Sequence, residues 1–171
     1  MAFAMHVEYE KADFVAYIKA HDKTKNRKQR ISQFILAGLC FLLEIPMILL
    51  CVAGEPGTHI IVLMVLMPIL GGEMLLMPRI LAATMAKTYR KTGSIDLCFG
   101  EEDVSARRTV ESTVYQYGAF ESIFHGKEAF YLYLNRQQAL VIPERCFTHG
   151  DPAAFGAFLA EKTGLEVKEI K

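Results

Sequence analysis

Two apolar stretches separated by a few turn residues constrain this chain more than any other feature. From Ile31 to Ala53 the only charged residue is Glu44, and from Ile60 to Pro78 the only one is Glu73. A helix rises about 1.5 Å per residue, so roughly 20 apolar residues cover the ~30 Å hydrocarbon core of a bilayer. Inside lipid a backbone must satisfy its own hydrogen bonds, which a helix does unaided. The residues between the stretches, Gly54-Glu55-Pro56-Gly57-Thr58, are turn formers. The pattern predicts a transmembrane helical hairpin, with spans at 31–53 and 60–83 and a connecting turn at 54–59. A pair of buried helices in a soluble protein is the competing reading. It is the weaker one, because 171 residues leave little else to cover two helices apolar on every side.

Basic residues orient the hairpin. Lys23, Lys25, Arg27, Lys28 and Arg30 form a collar before the first span, and Arg79, Lys87, Arg90 and Lys91 follow the second. The turn has no Lys or Arg. The positive-inside rule then puts both termini in the cytoplasm and the turn outside. Residues 1–30 hold no apolar signal segment, so the first span is expected to serve as an uncleaved insertion signal. The collar also reads as a site for anionic lipid, at about 1 kcal/mol per residue near the surface.

The flanking segments change period. Phe3, Met5, Val7 and Tyr9 alternate with Ala4, His6 and Glu8, as on a half-buried strand, and Phe14, Tyr17 and Ile18 then recur at helical spacing behind Asp13. From Ser94 the period is two. Six strands are expected: Ile95–Phe99, a piece opening with Val104 and Ala106, Ser112–Tyr117, Phe120–Phe124, Phe130–Leu134 and Ala139–Ile142, the last stopped by Pro143. Asp151 and Pro152 then open a helix carrying Phe155, Phe158 and Leu159, with Gly164 as its stop. Leu165–Ile170 has the alternation of one more strand. Short antiparallel strands followed by one amphipathic helix suit a small barrel or half-barrel with a helical plug.

The expected fold is therefore a membrane α+β chain. A two-helix transmembrane hairpin is inserted between a short N-terminal strand and helix (1–30) and, after a linker (84–93), a C-terminal antiparallel β domain with a capping helix (94–171), pleckstrin-homology-like by analogy.

Charge narrows the partners. The 19 Lys+Arg are matched by 19 Asp+Glu, which excludes a nucleic-acid partner recruited by bulk positive charge. Hydrophobic residues at 52% exclude a disordered chain. Residues 94–171 carry 8 basic and 12 acidic side chains, a net charge of −4, which speaks against a phosphoinositide pocket there. Arg107-Arg108 is the one basic pair in that segment, read as exposed and solvated in preference to a phosphate site. Tyr115, Tyr117, Tyr131 and Tyr133 supply aromatic surface, with sheet packing the commoner fate and peptide binding the functional alternative.

Glu44 and Glu73 are the candidate functional residues of the hairpin, because an ionisable group within a span is costly. Counted from the turn they differ in depth by about 7 Å, so a tight carboxylate pair within one chain is not expected. The candidates are a proton or ion path, polar contact in an oligomer, and plain packing against the partner helix. Gly71-Gly72 beside Glu73 permits close helix approach. Cys40 and Cys51 lie in the first span, Cys98 and Cys146 beyond the second, with no metal-ligand spacing, so free thiols and no metal or cofactor are expected. No catalytic motif is present; Cys146-x-x-His149 alone is weak evidence for a thiol nucleophile, and no catalytic residue is assigned.

The stretch Tyr131-Leu132-Tyr133-Leu134-Asn135-Arg136-Gln137-Gln138-Ala139-Leu140-Val141-Ile142-Pro143-Glu144-Arg145-Cys146-Phe147, with Gly150-Asp151 and Phe155–Leu159, resembles the C-terminal signature of YcxB-like bacterial membrane proteins. The order of elements resembles that family over nearly the whole chain. Glu144 departs from it, where a Lys often follows the Pro. The resemblance implies the bacterial inner membrane and brings no enzymatic activity. Two functions are expected from different classes. One is a non-enzymatic membrane protein presenting an interaction domain at the inner leaflet, with lipid, a second copy or another membrane protein as partner. The other is a small oligomeric channel, transporter subunit or proton-linked accessory using Glu44 and Glu73.

Overall fold

The computed structural model describes residues 2–54, 57–108 and 111–170. The chain divides into two units. One joins Met1–His21 to Ala82–Lys171, and the other is Asp22–Leu81.

Among the described residues the first unit is built on nine strands and the helix at its C-terminal end. Strand β1 (Phe3–Val7) buries Phe3, Met5 and Val7 and leaves His6 in solvent, the alternation its sequence carries. Helix α1 (Lys11–Thr24) follows. Asp13 sits in its first turn, and its Oδ2 accepts the backbone N–H of Glu10 at 2.7 Å, which satisfies one of the amides a helix start leaves free.

The chain returns as β2 (Ile95–Phe99), β3 (Asp103–Arg107), β4 (Ser112–Gln116), β5 (Ser122–His125), β6 (Ala129–Tyr133), β7 (Ala139–Pro143), β8 (Phe147–His149), helix α4 (Pro152–Thr163) and β9 (Val167–Glu169). The strands form two sheets, β4-β3-β2-β1-β8 and β7-β6-β5-β9.

The five-stranded sheet sets β1 between β2 and β8, although the whole hairpin separates it from β2 in sequence. Phe3 faces Phe99 and Val7 faces Ile95 in an antiparallel register. Residues 1–30 thus contribute a central strand to the sheet of residues 94–171, where the sequence reading kept the two apart. Strand β8, absent from that reading, pairs with β1. Three residues are too few to show a period, so only the neighbour identifies them. The sheets are antiparallel except at β5 and β9, which run parallel. The break comes from α4, which carries the chain back across the sheet between them.

Two cores result. The inner face of the five-stranded sheet (Met5, Leu97, Phe99, Val104) packs against Ile123, Phe130, Leu132 and Ile142 of the other sheet. Phe155 of α4 plugs the space between. Its ring meets Phe3, Phe99, Phe130 and Phe147 at centroid distances of 4.9–5.1 Å, with Phe99, Phe130 and Phe147 near perpendicular. Full burial of such a side chain contributes about 1.5–3 kcal/mol. The Asp151 side chain caps α4 by accepting from Ala153 N at 3.0 Å, and Gly164 ends it with φ +68°, as the sequence predicts. Gly150 lies at φ +94°, and a Cβ there would fall 2.2 Å from the Phe3 ring, so only glycine fits between β8 and α4.

The second core lies on the other face of β6, where Ala129, Tyr131 and Tyr133 pack against Phe14, Tyr17 and Ile18 of α1 and against Ala82. Strand β6 is therefore buried at all five positions, not on one face as its alternation suggests. Aromatic and aliphatic residues occupy both of its faces, so the period shows two packed sides as readily as one.

The second unit holds all of helix α2 (Arg27–Ala53) and most of helix α3 (Thr58–Thr92), which run through Pro46, Pro68 and Pro78. Only 6% of the most apolar window of each is buried. Within it, Gly71 is buried and would bring a Cβ to 3.0 Å from the Phe41 ring, while Gly72 faces open space. Cys51 Sγ reaches Met64 Sδ at 3.2 Å. Helix α3 continues to Thr92, so the stretch 84–93, expected as a linker, is helical almost throughout. Ala, Met, Lys and Arg sustain the helix, and the first break is Gly93 at φ +79°. Glu55 and Pro56 of the expected turn lie outside the described residues.

Candidate functional site

The two carboxyl candidates on the apolar helices occupy different surroundings. Glu44 on α2 is half-buried, and its Oε1 is covered without a hydrogen-bond partner. Glu73 on α3 is exposed. Around them the apolar side chains face outward: Ile35 at 67%, Leu42 at 62% and Leu49 at 63% exposure, with many more on both helices. A carboxyl among apolar side chains is costly unless a polar group meets it.

The collar is graded. Lys23, Arg27 and Lys28 are exposed, and Lys25 and Arg30 are half-buried. Arg30 is held in place: its Nε lies 3.2 Å from Asp22 Oδ2, its Nη1 donates to Gln33 Oε1 at 3.2 Å, and its guanidinium sits 4.9 Å above the Phe34 ring. Asp22, Lys23, Arg27, Arg30 and Phe34, with Ile31, line a hollow of about 540 Å³.

In the sheet unit the strongest polar constellation joins residues far apart in sequence. Arg145 donates through Nη1 and Nη2 to the two oxygens of Asp13, both at 2.6 Å, and through Nη2 to the Glu8 carbonyl at 3.3 Å. Asp13 is only 8% exposed, so the pairing compensates a charge taken out of water. The bond to Asp13 outweighs burial and keeps the guanidinium charged. The clasp fixes the start of α1 to the turn after β7. Sequence reading identified Asp13 as a helix-start residue and missed its partner, because nothing local links positions separated by the hairpin.

His125 forms the second constellation. Nε2 lies 2.7 Å from Glu144 Oε1, Nδ1 lies 2.8 Å from Glu169 Oε1, and the ring stacks on Phe130 at 4.2 Å. Burial would lower its pKa; the hydrogen bonds to Glu144 and Glu169 outweigh that and raise it. Both bonds can be donated only by the imidazolium, since a neutral ring has one N–H. The unusual Glu144 after Pro143 thus has a definite structural use.

Three of the four tyrosines singled out in the sequence are core residues: Tyr117, Tyr131 and Tyr133 are at most 6% exposed. The Tyr117 hydroxyl donates to the Gly100 carbonyl at 2.8 Å, and burial pushes its pKa up to about 12. Tyr115 is half-buried and lines a cleft of about 300 Å³ together with Tyr9, Phe14, Tyr89 and Arg108. Arg107 is exposed as expected. Arg108 is half-buried, with its guanidinium 5.5 Å from the Tyr89 ring centroid. Cys146 is buried, and burial pushes its thiol up, the reverse of what a nucleophile needs. His149 beside it in sequence is exposed. The cysteines are all free, and among the described residues no group of three or more His, Cys, Asp or Glu side chains is placed to hold a metal ion.

Residues 99–159 match the family model described as YcxB-like protein, which bears out the resemblance read from the sequence and makes this segment a YcxB-like domain. No curated protein and no solved structure matches the chain. The matched segment runs from the end of β2 through Leu159 of α4. It therefore contains Arg145, His125 and the Phe155 plug, and leaves out β1, α1 and the hairpin.

Proposed function

We propose that the chain is a non-enzymatic integral membrane protein of the bacterial inner membrane, one that inserts α2 and α3 and presents its YcxB-like sheet unit to partners at the inner leaflet. One observation carries the reading. Strands β1 and β2 are neighbours in a single sheet, yet the two long apolar helices lie between them in sequence. A chain that leaves a folded unit through one apolar helix and returns to it through another has both ends of the hairpin on one side of a bilayer. The outward-facing Leu, Ile and Phe side chains of α2 and α3 need an apolar phase that this chain does not itself supply. The collar before α2 favours the cytoplasm for the sheet unit, and the same residues favour contact with anionic lipid. In one respect the unit is pleckstrin-homology-like: a C-terminal helix is set into the opening of a curved sheet pair.

Labelling in intact cells tests it. A single cysteine introduced at Thr58 in a cysteine-free background should react with an impermeant maleimide, and cysteines at Ala2 and Ile170 should not. Labelling of either terminal site would overturn the topology. Affinity purification of the full chain in mild detergent, followed by mass spectrometry, should then recover a membrane-associated partner or further copies of the chain.

A second reading rests on Glu44 and Glu73. An orphaned carboxyl oxygen and an exposed carboxyl, both within apolar helices, are what an oligomeric channel or proton-linked accessory would place against neighbouring hairpins. Replacing both glutamates with glutamine separates the two readings: partner capture survives in the first, and ion or proton flux into vesicles disappears in the second.

A further inference from the structure

We propose that the cleft between the two sheets and the inner end of α3 binds a small organic anion, with an aromatic or short apolar body and one carboxylate directed at Arg108. The cleft, of about 300 Å³, lies at the small end of the range for ligand pockets, roughly 300–1,000 Å³. Its wall comes from separate elements: Phe14 from α1, Tyr89 from α3, Tyr115 from β4, and Leu140 from β7. Aromatic faces from several directions suit a flat or compact apolar body.

Its electrostatics are one-sided. Among the described residues no Asp or Glu lines the cleft, and Arg108 is the only formally charged lining residue. Arg108 has no carboxylate within ion-pair distance among the described residues, whereas Arg145 is paired with Asp13. The Tyr9 phenol does not serve as its counter-ion. That hydroxyl donates to the Val141 carbonyl at 2.8 Å, and burial, with Tyr89 beside it, pushes its pKa up, so it stays neutral. A half-buried, uncompensated guanidinium fixed over an aromatic ring presents a planar fork to a carboxylate. Residues 94–171 are net acidic as a whole, so the unpaired cation in this cleft stands against the general charge of the segment.

The inference is independent of the membrane topology. The test uses the full chain in a neutral detergent, with 1-naphthoate and octanoate as anionic probes and 1-naphthamide as the uncharged counterpart, read by saturation-transfer NMR and calorimetry. Saturable binding of at least one anion is expected, with the amide about tenfold weaker or more. Arg108→Gln should remove that preference and Arg108→Lys should restore part of it. Arg107→Gln, one residue away and outside the cleft, should leave binding unchanged, and unaltered melting of each variant keeps a folding defect from mimicking the loss. Absence of saturable binding by both anions, equal affinity for acid and amide, or full binding by Arg108→Gln would overturn the proposal.

Discussion

The sheet unit and the hairpin are both rich in apolar residues, and they dispose of them in opposite ways. In the sheet unit Leu97, Phe99, Val104, Ile123, Leu132, Ile142 and Phe155 are fully buried against one another. In the hairpin Ile35, Leu42 and Leu49 are more than 60% exposed, and Ala37 and Gly71 are the buried positions along its apolar stretches. Pattern separates the two outcomes. Residues alternating with polar neighbours can be folded inward; residues apolar on every side of a helix exceed what a single partner helix can cover. The sheet unit therefore makes its own apolar phase, and the hairpin leaves its apolar side chains exposed.

The contrast is broken or sharpened by substitution, beginning where the effect is greatest. Phe155→Ala should destabilise the sheet unit by about 3–5 kcal/mol, because four aromatic rings lose a common partner and the cavity sits between two sheets. Thermal unfolding of the detergent-solubilised chain measures it, and a loss below 1 kcal/mol would mean that α4 does not plug the core.

Leu42→Lys distinguishes the two environments directly. A lysine deep in a lipid-embedded helix costs about 2.5–3.5 kcal/mol of insertion free energy. At an exposed position in water the same change stays within about 0.5 kcal/mol. The membrane-integrated fraction after alkaline extraction should fall for this variant, and an unchanged fraction would place Leu42 in water.

Arg145→Ala should cost about 2 kcal/mol, chiefly because Asp13 is left buried and unpaired while the arginine end of the pair is half-exposed. A compensating Asp13→Asn should recover part of the loss; if the double variant were no more stable than Arg145→Ala, the clasp would not carry the effect.

The smallest effect concerns pH. The folded pKa of His125 is raised above its ordinary 6.5, so the imidazolium and its two carboxylate bonds stabilise the fold fully below that value. That contribution is lost as pH rises through the folded pKa. Above the range in which carboxylates titrate, the melting temperature should decline across this window and do so less in His125→Gln. Equal slopes in the two proteins would show that the bridge between β5, β9 and the turn after β7 adds nothing to stability.

Much of the fold was legible because short-range physics writes it. The apolar runs, the cap at Asp151, the stop at Gly164 and most strand positions follow from neighbours a few residues away. Strand β8 was not legible, since three residues show no period, nor was the helical character of 84–92, where turn-like polarity concealed good helix formers. The candidate glutamates were visible as charges out of place, whereas their different surroundings were not. The Asp13–Arg145 clasp and the His125 bridge left no sequence signal, because each depends on residues brought together by sheets.

By itself the sequence determined that two helices of this chain are apolar on all sides and that alternating segments flank them, because hydropathy and period are local properties. Only the tertiary structure decided that the first strand lies between β2 and β8, that Phe155 closes the space between the sheets, and that Arg108 faces an aromatic cleft with no counter-ion among the described residues. Those outcomes depend on which distant surfaces bury each other best, and that balance is settled only when both ends of the chain meet in one core.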